Sequence, residues 1–212
     1  KLHKTKDIVI VVGGSGLYVN AICNGFDKMP DISEKTRNQI NIEYQNKGLT
    51  WLQEKVKNID PLSYTDYEIK NPQRLLRALE VFQETGRSLS SFKSNKIKKR
   101  SFETLKIGLY MDREILYERI NNRVDTMIKE GLIEEVKSLT NDKHKNALQT
   151  VGYKEIFAFL NNECTLRQAI EYIKRNTRRL AKRQITWFKK EKDIKWFRPD
   201  EIADITETIL KL

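Results

Sequence analysis

The sequence predicts an α/β protein whose parallel-sheet core is interrupted by an all-helical insertion. Three observations carry that reading. Ile8–Val12 is a continuous β-branched run that ends in Gly13-Gly14-Ser15-Gly16, the pattern of a strand covered on both faces. Residues 26–100 then offer helix signals and no convincing strand. Strand character returns at Phe102–Met111, where Leu105, Ile107, Leu109 and Met111 alternate with other residues, and again at Ile194–Phe197. Strands separated by helices make a layered α/β core. We therefore expect a core segment at 1–25 (strand, glycine turn, helix), a helical insertion at 26–100, and a second core segment at 101–212.

The individual helices follow from their caps. Leu17–Cys23 reads as a short helix after the glycine turn. Asp31-Ile-Ser-Glu34 has capping-box spacing and opens a helix that Gly48 can end, with Trp51–Lys57 continuing helically. Asn71-Pro72 puts an N-cap before a proline suited to the first helical position, and Gly86 supplies the stop. Leu75, Leu76, Leu79 and Phe82 form the apolar face between them. Asp112 opens a helix with apolar positions Leu116, Ile120, Val124, Met127 and Ile128, and Gly131 lies near its end. Thr165-Leu-Arg-Gln168 is a second capping box, starting a long helix that reaches about Lys190. Pro199–Leu212 closes the chain as a helix.

Composition narrows the function classes. The 212 residues are 39% hydrophobic and 33% charged, and no run approaches the roughly 18 apolar residues of a membrane span. Ile8–Val12 is too short for a secretory core. Cys23 and Cys164 are the two cysteines, without metal-ligand companions, which suits a reducing cytoplasm. The net charge of +11 points to a polyanionic partner. Between Thr165 and Lys190 nine Lys/Arg face one Glu, 9 − 1 = +8, and Lys93, Lys96, Lys98, Lys99 and Arg100 form a second cluster. The chain opens without Met and enters a buried-type strand almost at once. We expect a piece of a longer protein.

Five stretches have the residue types for phosphate or RNA chemistry. Gly13–Gly16 is either a phosphate-binding turn at a helix start or simply a tight strand-to-helix turn. It is not a Walker A loop, because no Gly-Lys-Ser/Thr ending occurs anywhere in the chain. Arg119 and Arg123, four apart, project from one helix face and could clamp a diphosphate or merely be solvated. On the 165–190 helix, Leu166, Ala169, Ile170, Ile173, Thr177, Leu180, Ala181, Gln184, Trp187 and Phe188 share one arc. Lys174, Arg175, Arg178, Arg179, Lys182 and Arg183 share the opposite one, a rail suited to a phosphate backbone. Gln73–Arg77 begins a helix with Arg74 and Arg77 on one side, and Leu148–Tyr153 reads as a loop entering a helix, with Tyr153 offering a stacking ring.

Taken in order, these stretches resemble the tRNA dimethylallyltransferases (tRNA isopentenyltransferases). The matching segments are Val11-Val-Gly-Gly-Ser-Gly-Leu-Tyr18, Asn71-Pro-Gln-Arg-Leu-Leu-Arg-Ala-Leu-Glu-Val81, Arg119–Arg123, Val151-Gly-Tyr-Lys154 and Arg179-Leu-Ala-Lys-Arg-Gln-Ile-Thr-Trp187. The resemblance implies a P-loop NTPase-like core, represented here by its C-terminal part, and a helical insertion closing over a tRNA anticodon arm. It implies transfer of a dimethylallyl group from dimethylallyl diphosphate to N6 of adenosine at position 37, beside the anticodon, with Mg²⁺. By matched position, Ser15 lies at the reaction channel near the target adenosine, where most relatives have Thr. Arg123 grips the diphosphate, helped by Arg119 and the amides of Gly13 and Gly14. The tRNA-contacting stretches match Arg37; Gln73, Arg74, Leu75, Leu76 and Arg77; Gln149, Thr150, Val151, Gly152, Tyr153 and Lys154; and Thr177, Arg178, Arg179, Leu180, Ala181, Lys182, Arg183 and Gln184. Relatives often have Arg where Lys154 stands, so a bidentate contact is not expected there.

The resemblance also places a P-loop, a general-base Asp and most Mg²⁺ ligands before residue 1, and shows no zinc-finger extension of the eukaryotic kind. An adenine amine is a poor nucleophile, so the reaction needs a flipped-out base, a proton acceptor and a stabilised departing diphosphate. We expect this chain alone, a monomer, to bind tRNA weakly and transfer nothing. A P-loop small-molecule kinase explains Gly13–Gly16 and the arginine pair but not the +8 helix. A non-catalytic RNA-binding module needs no diphosphate site.

Overall fold

The computed structural model describes residues 2–62, 64, 69–94 and 98–211. The chain forms two compact units, one of Lys1–Val19 with Phe102–Leu212 and the other of Asn20–Ser101. The division falls inside helix α1 (Gly16–Cys23).

The unit of Asn20–Ser101 is built on α2 (Glu34–Ile59) packed against α3 (Pro72–Thr85). The cap of α2 is Ser33, whose Oγ accepts from the Thr36 N–H at 3.3 Å; Asp31, expected to cap it, is not used. Ser33 Oγ also donates to Glu84 Oε2 at 2.9 Å, tying the start of α2 to the end of α3. Gly48 breaks α2 at φ 76°, ψ −173°, a conformation that strains any side-chain-bearing residue. The helix resumes beyond it, as the Trp51–Lys57 pattern predicts. Asn71, Pro72 and Gly86 bound α3 as expected, with Gly86 in the left-handed conformation. The core here is Ile40, Leu52, Val56, Leu75, Leu76, Ala78 and Leu79. The 93–100 cluster is exposed at Lys93, Lys98 and Lys99, whereas Lys96 lies outside the described residues. Arg100 is not a free cation: it donates to the carbonyls of Cys23 and Ala21 at the C-terminal end of α1, where positive charge is favourable.

In the larger unit, β1 (Lys106–Leu109) and β2 (Ile194–Phe197) pair in parallel, with Lys106 opposite Ile194 and Leu109 opposite Phe197. The strand expected at Phe102–Met111 is thus confined to its centre. Leu109 is 59% exposed, against the expected alternation. A larger departure concerns Ile8–Val12, which is not a strand, and whose Ile10 and Val12 are 75% and 92% exposed. Strand conformation in a β-branched run is fixed by a hydrogen-bonding neighbour, and this run pairs with neither β1 nor β2.

Between the strands lie α4 (Arg113–Lys129), α5 (Leu132–Ser138), α6 (Tyr153–Leu160) and α7 (Leu166–Phe188), and α8 (Ile202–Leu210) follows β2. Helix α7 packs on α4 and α6, and α5 on α6. Their core is Val124, Leu132, Val136, Ile156, Phe157, Ala169 and Ile173. α5 was not anticipated; Gly131 separates it from α4.

The sheet is stapled by Lys106. Its Nζ lies 3.1 Å from Glu191 Oε2 and 2.9 Å from Asp193 Oδ2, with the lysine side chain 13% exposed. Burial lowers the ammonium pKa, but the hydrogen bonds it donates to Asp193 and Glu191 outweigh this and hold Lys106 above 10.5. The same bond to Lys106 holds Asp193 below 3.8. A depressed carboxylate stabilises the fold above its unfolded pKa and loses that contribution as pH falls. A raised ammonium stabilises below its unfolded pKa and loses it as pH rises. Stabilisation is therefore fullest between pH 3.8 and 10.5. Lys106→Met is expected to lower Tm at neutral pH and to flatten both the acid and alkaline limbs of a Tm-versus-pH curve.

Candidate functional site

Helix α7 begins with a complete capping box: Thr165 Oγ1 accepts from the Gln168 N–H at 3.3 Å, and the Thr165 N–H reaches Gln168 Oε1 at 2.9 Å. Ala169 and Ile173 are buried on the predicted apolar arc. Thr177 returns its hydroxyl to the Ile173 carbonyl at 2.8 Å, and Ala181 is half-buried. Leu180, at 38% exposure, shows that the core thins along the helix.

The six-cation face is smaller than its helical angles suggest. Lys174 turns to α4 and pairs with Asp125 at 2.7 Å, its side chain 15% exposed. Arg178 donates through Nη1 to Asn121 Oδ1 at 2.6 Å, with its guanidinium 6.0 Å from the Tyr117 ring. Both point into the α4–α7 seam because a long cationic side chain at the edge of a helix face swings to the nearest acceptor. Arg175, Arg179, Lys182 and Arg183 remain exposed, within an arc of about 100° at the helical rotation per residue. Arg175 lies 4.7 Å over the Tyr172 ring.

The Gly13–Gly16 turn rests on the far end of this same helix. A β-carbon at Gly14 would collide with the Gln184 side chain, and one at Gly16 with the Trp187 indole. The indole leaves no room for a side chain at Gly16, whereas the amide end of Gln184 facing Gly14 is a flexible tip that can yield. Gly13 and Ser15 are exposed, and the Ser15 carbonyl accepts from the Val19 N–H at 3.1 Å. Arg119 and Arg123 are exposed on α4, with no hydrogen bond or ion pair among the described residues. Each is two residues from Asn121, so roughly 160° around the helix from the side that meets α7. The turn and the arginine pair thus belong to one unit, but α7 does not bring them onto a shared face.

Around α6, one side chain organises the 149–154 stretch. Glu155, 8% exposed, accepts from the Gly152 N–H at 2.8 Å through Oε2. Its Oε1 accepts from Asn176 Nδ2 at 2.7 Å. This carboxylate joins the Gly152 loop to α7 beside Thr177. Tyr153 is not a free stacking ring: it packs on the core, and its hydroxyl donates to Glu135 Oε1 at 2.5 Å. That bond raises the phenol pKa above 10.0. Val151 packs on the same core and Gly152 is buried. Thr150 and Lys154 are exposed, and Gln149 Nε2 donates to the Lys143 carbonyl at 2.5 Å.

In the Asn20–Ser101 unit, Leu75 and Leu76 are 1% and 4% exposed. Their side chains fill the core and cannot face a ligand. Gln73 and Arg74 are exposed beside them. Glu80, 8% exposed, lies 3.6 Å from Arg77 Nη1 and 3.9 Å from Arg37 Nε, so two of the expected cations converge on one carboxylate. Arg77 Nη2 also donates to the Pro30 carbonyl at 3.2 Å.

Glu80, Glu155, Asn176, Asn121 and Tyr117 were not anticipated as partners of these residues. The Gly152…Glu155 interval has capping-box spacing and could have disclosed Glu155; packing between helices has no local signal. Among the described residues no group of three or more His, Cys, Asp or Glu could hold a metal ion. The glycine turn offers amide donors, whereas Mg²⁺ takes oxygen ligands. The described residues therefore do not fit an all-protein Mg²⁺ site. No helix among them is long and apolar enough to cross a membrane.

A family model described as IPP transferase matches residues 1–191. A tRNA dimethylallyltransferase of Christiangramia forsetii is 48% identical over 201 residues, covering 95% of this chain and 67% of that protein. A tRNA dimethylallyltransferase 1 of Bacteroides thetaiotaomicron is 44% identical over 207 residues, covering 98% and 67%. The solved tRNA isopentenylpyrophosphate transferase of Bacillus halodurans aligns with a TM-score of 0.55 at 36% identity, covering 91% of this chain and 61% of that one. A Staphylococcus epidermidis tRNA isopentenylpyrophosphate transferase gives 0.54 at 31% identity, covering 92% and 67%. This chain spans about two thirds of the length of these relatives, and over that span it belongs to the IPP transferase family of tRNA dimethylallyltransferases.

Proposed function

We propose that this chain forms the RNA-receiving part of an enzyme that moves a dimethylallyl group from dimethylallyl diphosphate to N6 of adenosine 37 in tRNA. The observation that carries the reading is α7. One helix exposes Arg175, Arg179, Lys182 and Arg183 on one side and holds the glycine turn against Gln184 and Trp187 on another. A cationic rail for the phosphate backbone and a turn of free amides thus share one rigid element. The sheet pair β1–β2 is read as part of a P-loop-type core, and the helical Asn20–Ser101 unit as the insertion that meets the anticodon arm through Gln73, Arg74 and Arg37. The setting is a cytoplasm and the acting form a monomer.

In the reaction the adenine N6 attacks the allylic carbon, the carbon–oxygen bond breaks, and diphosphate departs with its negative charge. Arg123, with Arg119 one turn earlier, neutralises that charge. The resemblance assigns the Gly13 and Gly14 amides to the diphosphate as well, although they sit on a different face of this unit from Arg119 and Arg123. Ser15, exposed at the turn, lies beside the accepting base. The N6 proton needs an acceptor, and none of these residues is assigned that role.

Labelled dimethylallyl diphosphate and unmodified tRNA test the reading. A complete transferase carrying these residues is expected to label tRNA, and the 212 residues alone to bind anticodon-arm RNA without labelling it; no RNA binding by either would overturn the proposal. In the complete enzyme, Arg123→Ala is expected to raise KM for dimethylallyl diphosphate by about tenfold or more, the scale of one charge-assisted hydrogen bond, while tRNA Kd stays within twofold. Changing Arg175, Arg179, Lys182 and Arg183 together to Gln is expected to weaken tRNA binding and flatten the log Kd–log salt slope by roughly 0.7–0.9 for each phosphate no longer neutralised, read by fluorescence anisotropy across a salt series.

A further inference from the structure

In the Asn20–Ser101 unit, two arginines that the resemblance treats alike meet on one carboxylate and are held unequally by it. Glu80 on α3 is 8% exposed, its Oε2 3.6 Å from Arg77 Nη1 and its Oε1 3.9 Å from Arg37 Nε. Arg77, three residues earlier on the same helix, is gripped a second time, because its Nη2 donates to the Pro30 carbonyl at 3.2 Å. Arg37, across on α2, makes its ion pair through Nε, and its side chain stays 50% exposed.

That inequality gives the three groups an order. Arg77 fixes Glu80, and Glu80 is then a fixed point for Arg37. A guanidinium is planar, so a carboxylate at Nε sets its plane and leaves the two Nη groups for another anion. Arg37 is the fourth residue of α2, where side chains lean toward the helix start and the dipole favours negative charge. That helix start is itself tied to α3, since Ser33 Oγ donates to Glu84 one turn beyond Glu80 at 2.9 Å. Backbone and side chain of Arg37 are thus both referred to one stripe of α3.

We infer that Glu80 is a positioning residue for tRNA binding: anchored by Arg77, it orients the Arg37 guanidinium toward a backbone phosphate. Arg77 serves as the anchor and makes no RNA contact of its own. The inference rests on the proposed RNA-receiving role, and within it divides labour between two arginines of one cluster.

Charge and orientation predict opposite signs for Glu80→Gln. Removal of a negative charge beside RNA would tighten binding by electrostatics alone, whereas loss of orientation weakens it. Binding of unmodified anticodon-arm RNA to the full chain is read by fluorescence anisotropy over a salt series, with Tm recorded for each variant. Glu80→Gln is expected to weaken binding about three- to tenfold and to lower the salt slope by the share of about one phosphate. Arg37→Gln is expected to do the same, and the double variant no more than Arg37→Gln alone, as coupled residues do. Glu80→Asp keeps the charge but draws it back by one methylene; its binding is expected to fall between, and it carries the comparison if Glu80→Gln does not fold. Unchanged or tighter binding by a folded Glu80 variant, or independent effects of Glu80→Gln and Arg37→Gln, would overturn the inference and leave Glu80 a tie between α2 and α3. Parent-like binding by Arg37→Gln would overturn it equally, with the rail on α7 still standing. No RNA binding by the parent chain would overturn the RNA-receiving role and this inference together.

Discussion

The placement of α7 is the constraint on which the larger unit depends. It is held from three sides by different chemistry. The capping box at Thr165 fixes its start, Ala169 and Ile173 bury its apolar arc, and Lys174 and Arg178 anchor it to α4 through Asp125 and Asn121. None of these polar contacts is large alone: hydrogen bonds to charged groups contribute about 1.5–3 kcal/mol, and half-exposed ion pairs less. Together they convert a helix that would otherwise rotate on a shallow core into one with a defined outward side. The helix is charged on that side, and Leu180 and Trp187 remain partly exposed toward its end.

The division of labour among its cations follows from that anchoring. An arginine that donates to Asn121 has its guanidinium oriented and partly desolvated, and it positions the helix. An arginine such as Arg179 retains its rotamers and its hydration, and it is disposed toward an external anion. Arg77, bound to Glu80 and the Pro30 carbonyl, is an anchored arginine of the same kind.

Much of this was legible in the sequence because it is local. Thr165-x-x-Gln168, Asn71-Pro72, Gly86 and the β2 segment at Ile194–Phe197 each encode their structure within a few residues, and the structure places them as read. The errors arose where a neighbour decides. Ile8–Val12 has strand composition, but strand conformation is a property of a pair, and it has no partner in the β1–β2 sheet. Lys174 and Arg178 fall on the polar side of a helical projection, yet a projection knows nothing of α4. Leu75 and Leu76 sit inside a motif associated with RNA, but their burial assigns them to the core. Of the carboxylates and amides that orient the candidate residues, Glu80, Asn121 and Asn176 had no local signal in the sequence, and Glu155 had only its capping-box interval from Gly152.

The contact of the glycine turn with Gln184 and Trp187 has a mechanical consequence. Close-packed atoms are nearly incompressible and pass displacement on rather than absorbing it. Where the Trp187 indole leaves no room for a methyl group at Gly16, a displacement of the helix end is passed to the turn. The exposed cations of the helix and the glycine turn are thereby coupled through the Trp187 indole.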